Sequence, residues 1–352
     1  MRTVQRVVPD SSTVRNRYIF FGSTADAVRN ILDKNDISIP VDAFGHISGS
    51  ILSLFGLFRT ISSKGECLVL HGIPHRDVWF AMLPFRRLRR HTFWLVWGAG
   101  VNGPLRYSRR RKTALVRIWM AVYGVCVRSL GAVSCQNETE RRALESLIGA
   151  KLKTHFWARY LLPDPPADRA IRSSKLPLCV LTGQSGHPGS NYEETFTKLE
   201  KFSGEEMQVH APLVYGEADY IAKVCDLGKE KFGDRFVALL RRKPFDEYVQ
   251  YLRSIDVVMF NHSSPGGAGG FNLVSCLSLG AKVFLREDNG YFELLKGHGA
   301  HIFTFNDLSG MDWEEFSRPL SESAQIKNWQ VIELLRQTVI TDWPKVYQAI
   351  CA

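Results

Sequence analysis

Two glycine-rich loops carry the most specific chemistry in this chain. Gly183-Gln184-Ser185-Gly186 follows an apolar run, and Gly266-Gly267-Ala268-Gly269-Gly270 stands directly before a helical pattern. Backbone N–H groups at a helix N-terminus bind phosphate well when no side chain is in the way. Glycine permits both the close approach and the unusual dihedrals. No Gly-Lys-Ser/Thr follows either loop, so neither is a Walker phosphate loop, and neither is a good GxGxxG opening of a first βαβ unit. Tight-turn geometry alone explains one such loop. Two of them in one parallel-sheet domain point toward a nucleotide diphosphate site.

Other residues carry a chemical and a bland reading side by side. His71 ends an apolar run just before Gly72, a place for a general base or for a structural histidine. Trp79, Trp94 and Trp97 could stack on a sugar face or fill a core. Arg241, Arg242 and Lys243 could meet phosphate or form a solvated charge run. Glu287 and Glu293 could hold hydroxyls or cap a helix N-terminus. His, Cys and carboxylates show no metal-ligand spacing, so neither a metal nor another cofactor is expected.

The elements that must position these residues follow from periodicity. In the second half, apolar runs at 178–182, 207–213, 236–240, 257–261 and 282–285 alternate with helical patterns at 192–202, 217–232, 245–253 and 271–279. That alternation implies a doubly wound parallel sheet, with function at the carboxyl ends of its strands. The first half gives weaker signals: strands over 18–22, 67–71 and 92–97, a helix over 24–32, and an apolar, helix-like stretch over 113–133 behind the basic run 109–112. Such a basic collar fits an interfacial helix or a core helix with a solvated cap. A late helix is expected over 326–338. Pro163, Pro165 and Pro166 mark a linker.

The chain has 352 residues and a net charge of +10. Residues 1–170 carry 26 Lys+Arg against 12 Asp+Glu, while 171–352 carry 19 against 23. An anionic partner should therefore meet the first half. No zinc-finger spacing or RNA-binding signature is present, so a membrane surface is favoured over nucleic acid. Seven cysteines without a CxxC pair read as reduced thiols of a cytosolic protein. The polar N-terminus shows no signal core, and no uncharged apolar stretch reaches the ~18 residues of a membrane span.

At this point the residues resemble a known family. His71-Gly72-Ile73, Trp79 and Trp94-Leu95-Val96-Trp97-Gly98-Ala99 resemble the HGL…LW…W-x-WGAD pattern of the TDP-N-acetylfucosamine:lipid II N-acetylfucosaminyltransferases of enterobacterial common antigen synthesis. Leu181-Thr182-Gly183-Gln184-Ser185-Gly186 resembles their LVGNSGD, with Ser190-Asn191 after it, and Phe245-Asp246-Glu247-Tyr248 resembles their FDAY. Gly269-Gly270 to Gly280, then Arg286-Glu287, complete a collinear match from about residue 65 to about residue 305.

The resemblance implies an α/β, glycosyltransferase-B type fold: two Rossmann-like domains facing a cleft. It places an acceptor and membrane-facing domain over 1–165, a sugar-nucleotide domain over 166–325, and a helical segment, 326–352, packing back on the first domain. It further implies donor contacts at Gly183, Gln184, Ser185, Gly186, Gly269, Gly270, Phe271, Asn272, Arg286 and Glu287. Gly72, Trp97 and Gly98 fall on the acceptor side, and His71 is the candidate base if transfer inverts; a retaining path on this fold can do without one. The implied partners are a nucleotide-sugar donor, a lipid-linked glycan acceptor and the cytoplasmic face of the inner membrane. Three positions depart from the pattern: the Asp of WGAD is Gly100, that of NSGD is His187, and the acidic helix residue used on ribose is Ser275. A relative that binds glycan or lipid without turnover is the alternative.

Overall fold

The computed structural model describes residues 18–21, 44–47, 50–72, 74–96, 100–101, 103–104, 113–157, 171, 176–263 and 269–351. The expected helix over 24–32, the basic run 109–112, the prolines at 163–166, Gly266 and Gly267, and the acceptor-side pair Trp97 and Gly98 lie outside the described residues. The chain divides into two compact units, Met1–Gln136, Arg141–Leu161 and Thr338–Ala352 against Asn137–Glu140 and Leu162–Gln337.

In the first unit, β1 (Tyr18–Phe21) and β2 (Phe44–Ile47) pair in parallel. A second parallel sheet runs β3 (Leu68–Gly72), β4 (Thr92–Val96), β5 (Ala132–Ser134), β6 (His155–Phe156). Every residue of β4 is buried, as a central parallel strand requires. The helices are α1 (Ile51–Lys64), α2 (Arg76–Met82), α3 (Arg86–Arg90), α4 (Ala114–Arg128) and α5 (Glu138–Ile148). Ser50 caps α1 through its side chain, and Gly65 in the left-handed region ends it.

Trp79 and Trp94 belong to this core. Their rings meet edge to face at 5.1 Å, and Tyr123 packs 5.4 Å from Trp79 and 6.1 Å from Trp94. Neither indole is a sugar platform. The stretch 113–133 is not one helix either: α4 stops at Arg128 and β5 begins at Ala132. Gly131 makes that turn possible, because a Cβ there would fall 2.1 Å from the Arg90 carbonyl oxygen. Arg89 is buried, donating to Ser129 Oγ at 2.6 Å and to the carbonyls of Met82 and Leu83. It satisfies the end of α2 and is withdrawn from the basic surface.

The second unit is a six-stranded parallel sheet. Its strands are β7 (Leu178–Thr182), β8 (Met207–Pro212), β9 (Phe236–Leu239), β10 (Val257–Phe260), β11 (Lys282–Leu285) and β12 (Phe303–Thr304). Their spatial order is β12-β11-β10-β7-β8-β9. The chain builds outward from β7 to β9, then returns and builds the other way from β10, so the order reverses between β7 and β10. Val257, Val258 and Met259 face Val180, Leu181 and Thr182 across that join. The helices are α6 (Tyr192–Leu199), α7 (Ala218–Phe232), α8 (Phe245–Arg253), α9 (Gly270–Ser278), α10 (Gly290–Gly297), α11 (Phe305–Gly310) and α12 (Trp313–Ser317). Lys282 on β11 is buried and donates to the carbonyls of Glu315 (2.7 Å) and Phe316 (3.0 Å), closing α12. Burial lowers its pKa from 10.5 to about 8.

The last helix, α13 (Glu322–Cys351), is much longer than the expected 326–338 and continues through Pro344. Its apolar stripe sustains it: Val331, Ile332 and Leu335 enter the second unit's core, and Val339, Trp343, Val346 and Ile350 pack with Phe93 and Leu95 of the first. Trp343 meets Phe93 edge to face at 5.6 Å, and Asp342 accepts the Trp157 N–H at 2.8 Å. Replacing Trp343 with Ala should destabilise the first unit by about 3 kcal/mol or more, read as a lower urea midpoint. An unchanged midpoint would show that the end of α13 is dispensable to that core.

Candidate functional site

The site is built where β7 and β10 end side by side. Thr182 is buried and bonds the His210 carbonyl at 3.0 Å. Gly183 turns the chain with φ 62°, and its N–H reaches the Met259 carbonyl at 2.9 Å. A Cβ at Gly183 would land 2.6 Å from the Tyr192 ring. The loop then runs against the segment after β8: Gly186 N–H donates to Tyr215, and Glu217 N–H returns to Gly186, at 2.8 and 2.9 Å. A Cβ at Gly186 would strike Ile221 at 2.1 Å. Packing therefore demands glycine at both positions. Gln184 turns the other way, toward α9: its Oε1 lies 3.2 Å from the position a Gly269 Cβ would take.

The start of α9 completes this edge. Gly269 is left-handed with φ 72°, and the first intrahelical bond runs from Leu273 N to Gly269 O at 2.8 Å. The N–H groups of Gly270, Phe271 and Asn272 thus precede the helical ladder and point out of the helix end. No acidic residue occupies the first turn, so the positive end of the dipole is unopposed there. Gly270 approaches Tyr291 so closely that a Cβ would fall 2.3 Å from its hydroxyl. Asn272 is buried and accepts the Tyr248 hydroxyl at 2.9 Å.

Asn261 ties the parts together. Its carbonyl accepts Asn191 Nδ2 at 2.7 Å, and its side-chain oxygen lies 3.4 Å from Arg286 Nη1. Arg286 arrives at this edge already engaged. It grips Asp288 with two bonds of 2.9 and 3.1 Å, and Glu194 stands 3.7 Å away. The Asp288 bond is the first cause raising the Arg286 pKa, and the same bond lowers that of Asp288. A phosphate at this edge would have to share the guanidinium with Asp288. Glu287 is exposed on the following turn, and Glu293 occupies the first turn of α10.

The departures have physical counterparts. His187 is exposed, 3.8 Å from Glu217. Ser275 is buried within α9, and its hydroxyl has no partner among the described residues. Gly100 in the first unit is buried, and a Cβ there would stand 3.0 Å from the Trp94 ring and 3.7 Å from the Gly72 carbonyl oxygen. A carboxylate at that position would press on an indole and a carbonyl, both unfavourable neighbours for negative charge. His71 is the last residue but one of β3, opposite Leu95 and next to Gly72, whose carbonyl accepts the Trp94 indole N–H at 3.0 Å. Solvent reaches the His71 ring, yet the surrounding protein penalises the charged form and lowers its pKa from 6.5 to about 4.

The structure thus gathers Gly183–Gly186, Gly269–Asn272 and Arg286 at one edge of the second unit, with His71 and Gly72 in the first. Sequence reading missed Asn261 and Asp288, and gave Asn191 and Tyr248 only as parts of the family pattern, with no role at the site. Asp288 was the most accessible of these, two residues beyond Arg286 and so within reach of its guanidinium. Among the described residues, no group of three His, Cys, Asp or Glu side chains could hold a metal ion.

This architecture recurs in solved glycosyltransferases. Anabaena HepE, in complex with UDP and glucose, superposes with a TM-score of 0.62 over 93% of this chain and 91% of its own, at 12% identity. The UDP-forming alpha,alpha-trehalose-phosphate synthase of Burkholderia xenovorans gives 0.54 over 85% and 78%, at 11% identity. These place the fold in the glycosyltransferase-B type. The sequence pattern of the 4-alpha-L-fucosyltransferases, glycosyl transferase group 56, matches residues 57–345. With that span matched, the chain belongs to the group 56 4-alpha-L-fucosyltransferase family and is a sugar-nucleotide-dependent glycosyltransferase.

Proposed function

We propose that the second unit holds the nucleoside diphosphate of the donor at the N-terminus of α9. In this reading the donor is a TDP-activated N-acetylated deoxyhexose such as N-acetylfucosamine. The acceptor is an undecaprenyl-diphosphate-linked oligosaccharide in cell-surface polysaccharide synthesis. The observation that carries the reading is the unopposed helix end beside the Gly183–Gly186 loop, at the point where strand order reverses. That the similar HepE is in complex with UDP and glucose supports it.

In the reaction an acceptor hydroxyl forms a bond to the anomeric carbon as the bond to the diphosphate breaks. Negative charge grows on the leaving diphosphate, and preorganised N–H groups stabilise it without reorganising. His71, neutral at pH 7 because of its lowered pKa, is able to accept the hydroxyl proton on an inverting path.

The first unit suits an anionic leaflet. Leu52 on α1 is 81% exposed and Leu115 on α4 is 78% exposed, with Phe55 and Ile118 also exposed on the same helices. Arg59, Lys64 and Arg117 accompany them, and α1 and α4 both pack against α2. Exposed apolar groups among cations are the composition of a membrane-surface contact. No helix among the described residues is long and apolar enough to cross a membrane.

Melting experiments with TDP, UDP, GDP and ADP test the donor site. A substitution at Gly270 would collide with Tyr291 and could not separate binding from folding. Asn272→Asp is nearly isosteric, still accepts the Tyr248 hydroxyl, and places a carboxylate on the helix end. Selective stabilisation of the wild type by TDP, lost in Asn272→Asp with the ligand-free melting point held, is the expected result. Absence of stabilisation by every diphosphate would overturn the site.

For the base, kcat/KM should fall as pH drops through about 4 rather than 6.5, because protonation of His71 removes the acceptor. His71→Gln should cost about 100-fold in kcat. An unchanged kcat would eliminate that role, and donor binding without turnover in the wild type would favour a catalytically altered relative. For the membrane, the wild type should sediment with anionic vesicles and not with phosphatidylcholine alone. The double variant Leu52→Asp, Leu115→Asp should stay in the supernatant. Equal sedimentation of the two proteins would exclude this face.

A further inference from the structure

Beside the helix end of α9 lies a row of aromatic rings that diphosphate binding leaves unused. Phe271, the second residue of the helix, is 37% exposed, and Phe245, the first residue of α8, is 56% exposed. Their ring centroids stand 6.0 Å apart. Tyr248 backs Phe271 at 6.3 Å with planes only 22° apart, and Tyr251 continues the stack at 5.7 Å and 28°. The Tyr248 hydroxyl is fixed on Asn272, so the support is held from behind. Long side chains on a helix lean toward its N-terminus, which directs the Phe271 ring toward the carboxyl edge of the sheet. Arg241, Arg242 and Lys243 are exposed immediately before α8.

We propose that the exposed surface of Phe271 and Phe245 is the stacking platform for the nucleobase of the donor. The proposal rests on the reading of the α9 N-terminus as the diphosphate site. Phe271 directly follows Gly270, whose N–H belongs to that site. In a nucleoside diphosphate a single ribose separates base from phosphate, so the base has to settle beside the helix end and not at a remote surface. The chemistry of the surface selects among the ligand's parts. A pyranose needs hydrogen-bonding groups, and Tyr248 spends its hydroxyl on Asn272; a flat base needs a supported π face. Stacking accepts every base, so the platform supplies affinity for the nucleoside and little choice between thymine and uracil.

Calorimetric titration of the wild type, Phe271→Ala and Phe271→Trp with TDP, UDP and inorganic pyrophosphate tests this. Phe271→Ala should weaken TDP and UDP by about tenfold. Its pyrophosphate affinity should stay within about twofold of the wild type, and Phe271→Trp should restore nucleotide binding. Unchanged nucleotide affinity in Phe271→Ala, or a parallel loss of pyrophosphate, would overturn the platform. A wild type that binds pyrophosphate but gains nothing from the nucleoside would overturn the platform alone. A wild type that binds neither would overturn the diphosphate site and the platform together.

Discussion

The pairing of β7 with β10 is the constraint on which the rest depends. These strands are distant in sequence, yet they lie hydrogen-bonded side by side because the chain reverses its direction of growth across the sheet. Loops leaving neighbouring strands on opposite faces diverge, and the backbone at their tips is left without ladder partners. The structure satisfies part of that need internally, through Gly183 N–H to Met259 and Asn191 to the Asn261 carbonyl. Among the described residues the N–H groups of the first turn of α9 have no partner, the condition under which a helix end suits an anion.

The glycines show why a binding loop and a packing loop look alike in a sequence. Both kinds require the absence of a side chain, and a sequence reports only the absence. At Gly183 and Gly186 the missing Cβ makes room for Tyr192 and Ile221, residues on the following helices of the same βα alternation. At Gly269 the left-handed backbone turns the chain onto the helix, so the N–H groups after it face outward. The diphosphate reading therefore rests on what the loops leave open, not on how many glycines they hold.

The second unit was legible almost strand by strand, because buried parallel strands such as Val257–Phe260 and Lys282–Leu285 are short uninterrupted apolar runs bounded by loops. The first unit was legible only in part: the runs at 18–22, 67–71 and 92–97 are β1, β3 and β4, while α1, β5 and β6 went unread. Its helix α1 carries exposed Leu52 and Phe55 alongside buried Leu54 and Phe58, which blurs the 3.6-residue period, and β5 and β6 are three and two residues long. The site was legible as a set of segments and illegible as a network. Pairings such as Tyr248 with Asn272 and Arg286 with Asn261 join residues far apart in the chain, and they exist only once the sheet order is known.

Charge followed the same division. The excess of cations in the first half was plain from counting, but counting does not say which cations reach a partner. Arg89 is buried with its guanidinium on the carbonyls of Met82 and Leu83, whereas Arg128 bonds the Ile148 carbonyl and stays exposed. In the second half Arg286 is likewise committed, held by Asp288 until something more anionic competes. An arginine poised in this way has its orientation paid for in advance by the carboxylate. A dianionic diphosphate arriving at the α9 helix end would meet a guanidinium already aimed at Asn261 and the end of β10, and would need only to exchange one anion for another.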